Sequence, residues 1–120
     1  MAKTKSPYIG SEIKFNVHID PIKANIGREN EYSISMSQYD FTCEFFTYES
    51  AKIEVTKAQM LPYDDDNYIA MLDTTNLKYE GYIKIMVTAR IPDEDFADGL
   101  RTEKILIITD QYIHNELFSN

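Results

Sequence analysis

Apolar and polar residues alternate along most of this chain with a period of two, the signature of half-buried strands. Ile13, Phe15, Val17 and Ile19 alternate with Lys14, Asn16, His18 and Asp20 until Pro21 stops the run. Residues 31–38 set Tyr32, Ile34 and Met36 against Ser33, Ser35 and Ser37. In 39–48 Phe41, Cys43 and Phe45 point one way and Thr42 and Glu44 the other, with Phe46 and Tyr48 adding aromatic density. That segment is expected to be a central strand. Residues 51–57 place Ile53 and Val55 opposite Lys52, Glu54 and Thr56, so the two runs read as a hairpin turning at Glu49 and Ser50.

Pro62 followed by Tyr63, Asp64, Asp65, Asp66 and Asn67 predicts a reversal over 62–67, because proline fixes φ and Asp and Asn side chains bond their own backbone in turns. A strand over 68–73 follows. Residues 74–77 read as a single helical turn capped by a threonine hydroxyl, a connection that Gly81 ends. Residues 82–91 carry the cleanest alternation, with Ile83, Ile85, Val87, Ala89 and Ile91 inward and Pro92 closing the strand. After an acidic loop over 93–99, residues 100–109 form the last long strand. Its run Ile105, Leu106, Ile107, Ile108 is continuous, which implies burial on both faces or an interface. Residues 110–120 read as a final strand or an arm.

Six to eight short strands without a long amphipathic helix predict an all-β protein: a single antiparallel β-sandwich over 1–120, immunoglobulin-like in architecture, with arms at 1–10 and 110–120. A small barrel is the alternative. One cysteine and no tryptophan leave no antibody-type core signature. A chain of 120 residues is long enough for one core without staples.

Twenty acidic against twelve basic residues give a net charge of −8, and the basic residues are scattered, so no nucleic-acid partner is expected. No apolar run approaches a membrane span or a signal segment, so neither a membrane partner nor export is expected. Cys43 alone forms no intramolecular disulfide and alternates inward, where a thiol is inert. The loops 64–67 and 93–99 supply oxygen ligands of the kind Ca²⁺ takes, but Ala97 and Lys104 stand where an EF-hand needs oxygens, so both read as solvated turns. His18 and His114 have no ligand spacing around them and read as surface residues. With no phosphate loop and no nucleophile elbow, no catalytic residue and no cofactor are expected, and the chain reads as a non-enzyme. Nine tyrosines suit recognition surfaces, and Tyr63, Tyr68, Tyr79, Tyr82 and Tyr112 are the interface candidates.

Residues 66–77, Gly81 with the strand running to Ala89, and residues 91–103 (Ile-Pro-Asp-Glu-Asp-Phe-Ala-Asp-Gly-Leu-Arg-Thr-Glu) carry a resemblance, which extends more weakly through 41–47. Over about half the chain, the sequence resembles small β-sandwich proteins in the structural gene cassettes of tailed phages and prophages of Bacteroidales, including crAss-like phages. The resemblance implies a virion structural protein, made in the bacterial cytoplasm: a capsid auxiliary or decoration protein that binds the major capsid protein or anchors head fibres. Its partners would be capsid or fibre subunits or further copies of itself. A tail baseplate or fibre-anchoring module is the alternative within that class. A carbohydrate- or calcium-binding β-sandwich module is the alternative outside it. No functional residue is implied by the resemblance.

Overall fold

The computed structural model describes residues 6–115. Among the described residues nine strands form: β1 (Glu12–His18), β2 (Ile22–Ala24), β3 (Tyr32–Ile34), β4 (Asp40–Phe46), β5 (Lys52–Thr56), β6 (Leu61–Asp64), β7 (Asn67–Asp73), β8 (Gly81–Pro92) and β9 (Leu100–Ile113). All pair antiparallel, in a three-stranded sheet β1-β7-β6, a four-stranded sheet β5-β4-β8-β9 and the separate hairpin β2-β3. The two larger sheets pack face to face as a β-sandwich. Three single 3-10 turns, Met36–Gln38, Lys57–Gln59 and Thr74–Leu77, join strands.

Alternation puts the core between the sheets. Val17 is paired with Tyr68, and Phe15 with Ala70, on the inner face of the smaller sheet. Phe41, Cys43 and Phe45 of β4 and all five inward residues of β8, from Ile83 to Ile91, are buried opposite them. Edge-on ring pairs cross the gap, Phe15 to Phe45 at 5.7 Å and Phe41 to Tyr68 at 5.4 Å between centroids. Each such pair adds on the order of 1 kcal/mol beyond its area burial. β4 lies between β5 and β8, the central position its aromatic content predicts.

Four expectations are corrected. Residues 62–64 belong to a strand, β6, and the reversal is confined to 64–67. Pro62 sits in an edge strand, where its missing N–H costs no ladder bond. The turn at 74–77 is capped by Asp73, whose carboxylate accepts from the Thr75 N–H at 3.0 Å. The Thr74 hydroxyl instead donates to the Ser11 carbonyl at 2.7 Å and accepts from the Gly10 N–H. The strand expected over 31–38 stops at Ile34, so Met36 stays buried in a 3-10 turn while Tyr32 is exposed. The segments 6–10 and 110–115 are held in the fold: the Ile9 N–H donates to the His114 carbonyl at 2.8 Å and the His114 N–H to that of Pro7 at 2.9 Å. Residues 1–5 and 116–120 lie outside the described part of the chain.

The hairpin β2-β3 was not expected from the sequence. Asn25 and Gly27, at φ 49° and 82°, take the left-handed conformations its loop needs. It is clamped to the loop between β8 and β9. The Asn25 N–H donates to the Pro92 carbonyl, and its side-chain oxygen accepts from the Glu94 N–H at 2.9 Å.

Candidate interaction face

The continuous apolar run falls on β9, an edge strand. Ile105 and Ile107 turn inward and are half-buried, whereas Leu106 and Ile108 turn outward and are 49% and 71% exposed. The outer face of an antiparallel sheet ordinarily carries polar residues at such positions. In the cross-strand register Leu106 lies beside Met86, and Ile108 beside Lys84 and then Phe46. Phe46 also points outward, and its ring is covered by the Lys52 ammonium at 5.3 Å from the centroid. Together with Tyr48 these side chains line an open, mainly apolar groove of about 500 Å³.

Tyrosines crowd the end of the sandwich next to this groove. Tyr82 and Tyr112 are cross-strand partners on β8 and β9 with their rings edge-on at 5.1 Å, and Tyr48 meets Tyr79 edge-on at 5.2 Å. Tyr79 is tied to the groove wall, since the Thr47 hydroxyl donates to its carbonyl at 2.5 Å. The Tyr112 hydroxyl donates to Glu80 Oε2 at 2.7 Å, which, with the Asn115 N–H, holds the Glu80 carboxyl below its usual range. His114 stacks against Tyr112 and Tyr8, at 4.8 and 5.3 Å.

Of the five candidate tyrosines, Tyr79, Tyr82 and Tyr112 therefore flank one surface. Tyr63 is 73% exposed on β6, in the other sheet. Tyr68 is only 6% exposed: as an inward residue of β7 it packs on Phe41, and as a surface candidate it is corrected. Leu106 and Ile108, the centre of the patch, were not singled out individually from the sequence. The signal was present in the unbroken run 105–108, and its meaning depended on β9 being an edge.

The acidic loops lie at the opposite end, where β8 ends and β9 begins and where β1 ends and β7 begins. In the loop 93–99 each acidic side chain has a partner. Asp93 accepts from Arg101 Nη1 at 2.5 Å, Glu94 from Asn30 at 2.6 Å, Asp95 from Arg28 at 2.6 Å and Asp98 from Arg90 at 2.5 Å. In the turn 64–67, Asp64 accepts from the Asp66 N–H and the Asn67 amide, and Asp65 from the Ser37 hydroxyl. These carboxylates are spent on holding loops. Among the described residues no three His, Cys, Asp or Glu side chains gather as a metal-binding group.

His18 and His114 sit at opposite ends of the sandwich. His18 hydrogen-bonds Asp20 at 2.9 Å, and that bond raises its pKa. Cys43 is fully buried, and desolvation pushes its thiol up to about 12.

Comparison with protein-family models, with curated proteins and with solved structures finds no match.

Proposed function

We propose that this chain is a non-enzymatic assembly protein that joins a larger protein particle through the outer face of its four-stranded sheet. The observation that carries the reading is the exposure of Leu106 and Ile108 beside Met86 and the Phe46 groove, on a face where a solitary sandwich would place polar residues. Flanking Tyr79, Tyr82 and Tyr112 supply the amphipathic aromatic area that interface centres favour, and Lys84 and Glu49 in the groove supply charge.

The resemblance to virion proteins of tailed phages supports one choice of particle: a capsid surface, on which the chain would be a decoration or auxiliary protein. An immunoglobulin-like architecture fits that role and is supported by strand order. β1-β7-β6 follows the order B-E-D of such sandwiches and β5-β4-β8-β9 the order C′-C-F-G, with the hairpin β2-β3 inserted between B and C.

Quantitative mass spectrometry of purified particles tests the reading. Copies comparable in number to the major capsid protein support the capsid location, and a handful per particle moves the chain to the baseplate or a fibre anchor. Its absence from particles overturns the virion reading.

A further inference from the structure

The sandwich has four sheet edges, and they are not equally protected. β6 is four residues long and contains Pro62, and β5 is five residues long with Lys52 and Glu54 on it. β1 carries a polar residue at every second position. β9 is fourteen residues long, has no proline or glycine, and is apolar over 105–108. Among the described residues no strand of the sandwich pairs with its outer edge; Tyr8 bridges it only beyond its end, at His114. A long apolar edge with unpaired N–H and C=O groups is a template for another strand.

We propose that the occupant is a second copy of this chain, joined by antiparallel pairing of β9 with β9 about a two-fold axis through Ile107. An axis normal to the sheet keeps outward residues opposite outward residues, so only a few registers exist, and their chemistry differs. Centring on Ile107 sets Leu106 against Ile108 and Lys104 against Asp110, and the symmetry makes each pair twice. Centring on Lys104 opposes two ammonium groups. Centring on Ile105 sets Lys104 against Leu106, centring on Leu106 sets Lys104 against Ile108, and centring on Ile108 sets Leu106 against Asp110. The Ile107 register alone matches charge with opposite charge and apolar with apolar. Lys104 and Asp110 are both exposed. Asp110 marks the end of the paired segment, because β9 bulges between Ile108 and Tyr112, where the Thr109 hydroxyl donates to the Ile83 carbonyl at 2.6 Å. The pairing joins the two four-stranded sheets edge to edge and makes their apolar outer patches contiguous. It uses the strand edge rather than the face, so it stands or falls apart from the particle-binding reading.

Sedimentation equilibrium of the full chain, of Lys104→Asp, of Asp110→Lys and of the double exchange tests the proposal, with thermal melts confirming that all four fold. The expected result is a species of twice the 14.0 kDa chain mass. Each single exchange, which puts like charges opposite each other twice per dimer, weakens association about tenfold, and the double exchange restores it. A wild-type chain that stays monomeric through the millimolar range overturns the proposal. So does a dimer indifferent to the single exchanges, or one that the double exchange fails to restore.

Discussion

Arg101 donates to Asp93 Oδ2 at 2.5 Å through Nη1 and to the Lys23 carbonyl at 2.9 Å through Nη2, so one guanidinium fastens the start of β9 both to the β8-β9 loop and to the β2-β3 hairpin. Both side chains are largely buried. Removing the guanidinium leaves a carboxylate in a desolvated place without its cation, the costly way to break such a pair. Arg101→Ala is expected to lower Tm by on the order of 5–10 °C. Hydrogen exchange in Arg101→Ala should rise first at the amides of 22–34 and 93–99. A uniform rise across the sandwich would contradict the local clasp.

Acid stability follows from the same end of the molecule. Burial alone would raise the Asp93 carboxyl, but the Asp95 N–H and Arg101 outweigh it and hold it below its ordinary value. Asp98 is lowered by the Leu100 N–H and Arg90, and Asp64 by Asn67 and the Asp66 N–H. Groups with lowered folded-state pKa values contribute stability that is present above their unfolded value, about 4, and lost as pH falls through the folded values. Tm is therefore expected to be flat from about pH 6 down to about 5 and to fall below about 4. His18 runs the other way. Its raised pKa gives a contribution present below its unfolded value, about 6.5, and lost as pH rises through the folded value, so His18→Gln should remove a small decline in Tm above pH 6.5.

Cys43 supplies a probe of the core. With its thiol buried and pushed up to about 12, the native chain should react with a thiol reagent at pH 8 only through unfolding, and at full speed in denaturant. Phe45→Ala, which removes a buried ring that meets Phe15 across the sheets, should cost about 3–5 kcal/mol and bring the thiol into reach. Fast native labelling of the wild-type chain would contradict the packing described.

Much of this architecture was readable in the chain because alternation and burial agree. The inward residues of β8, 83 to 91, are all buried, and the β4-β5 hairpin forms in the expected place. What was missed depended on long-range context. Pro62 looks like a break until β6 is known to be an edge, and β2 is three residues held by Arg101 at Lys23 and, through Asn25 just after it, by Pro92 and Glu94, all far along the chain. Tyr68 is of a residue type that suits interfaces, but its parity with Ala70 and Leu72 places it inside. Of the candidate face, the run 105–108 was visible, but which two of its four residues remain uncovered is set by the partners of β9 in the sheet.

The outer patch should be separable from folding. Leu106→Lys with Ile108→Lys changes residues that are mainly solvent-exposed, so stability is expected to stay within about 1 kcal/mol of wild type. A larger loss would mean that these side chains serve the fold itself.

Attachment of the chain to a particle through this face is the proposed function. Its most direct test is the occupancy of wild-type chain and of the Leu106→Lys, Ile108→Lys double variant on particles purified from cells expressing both, measured by mass spectrometry with variant-specific peptides. Wild-type chain is expected on the particles and the variant depleted at least about tenfold, because charge replaces the apolar centre of the proposed interface. Equal occupancy of the two, or particles carrying neither, would contradict it.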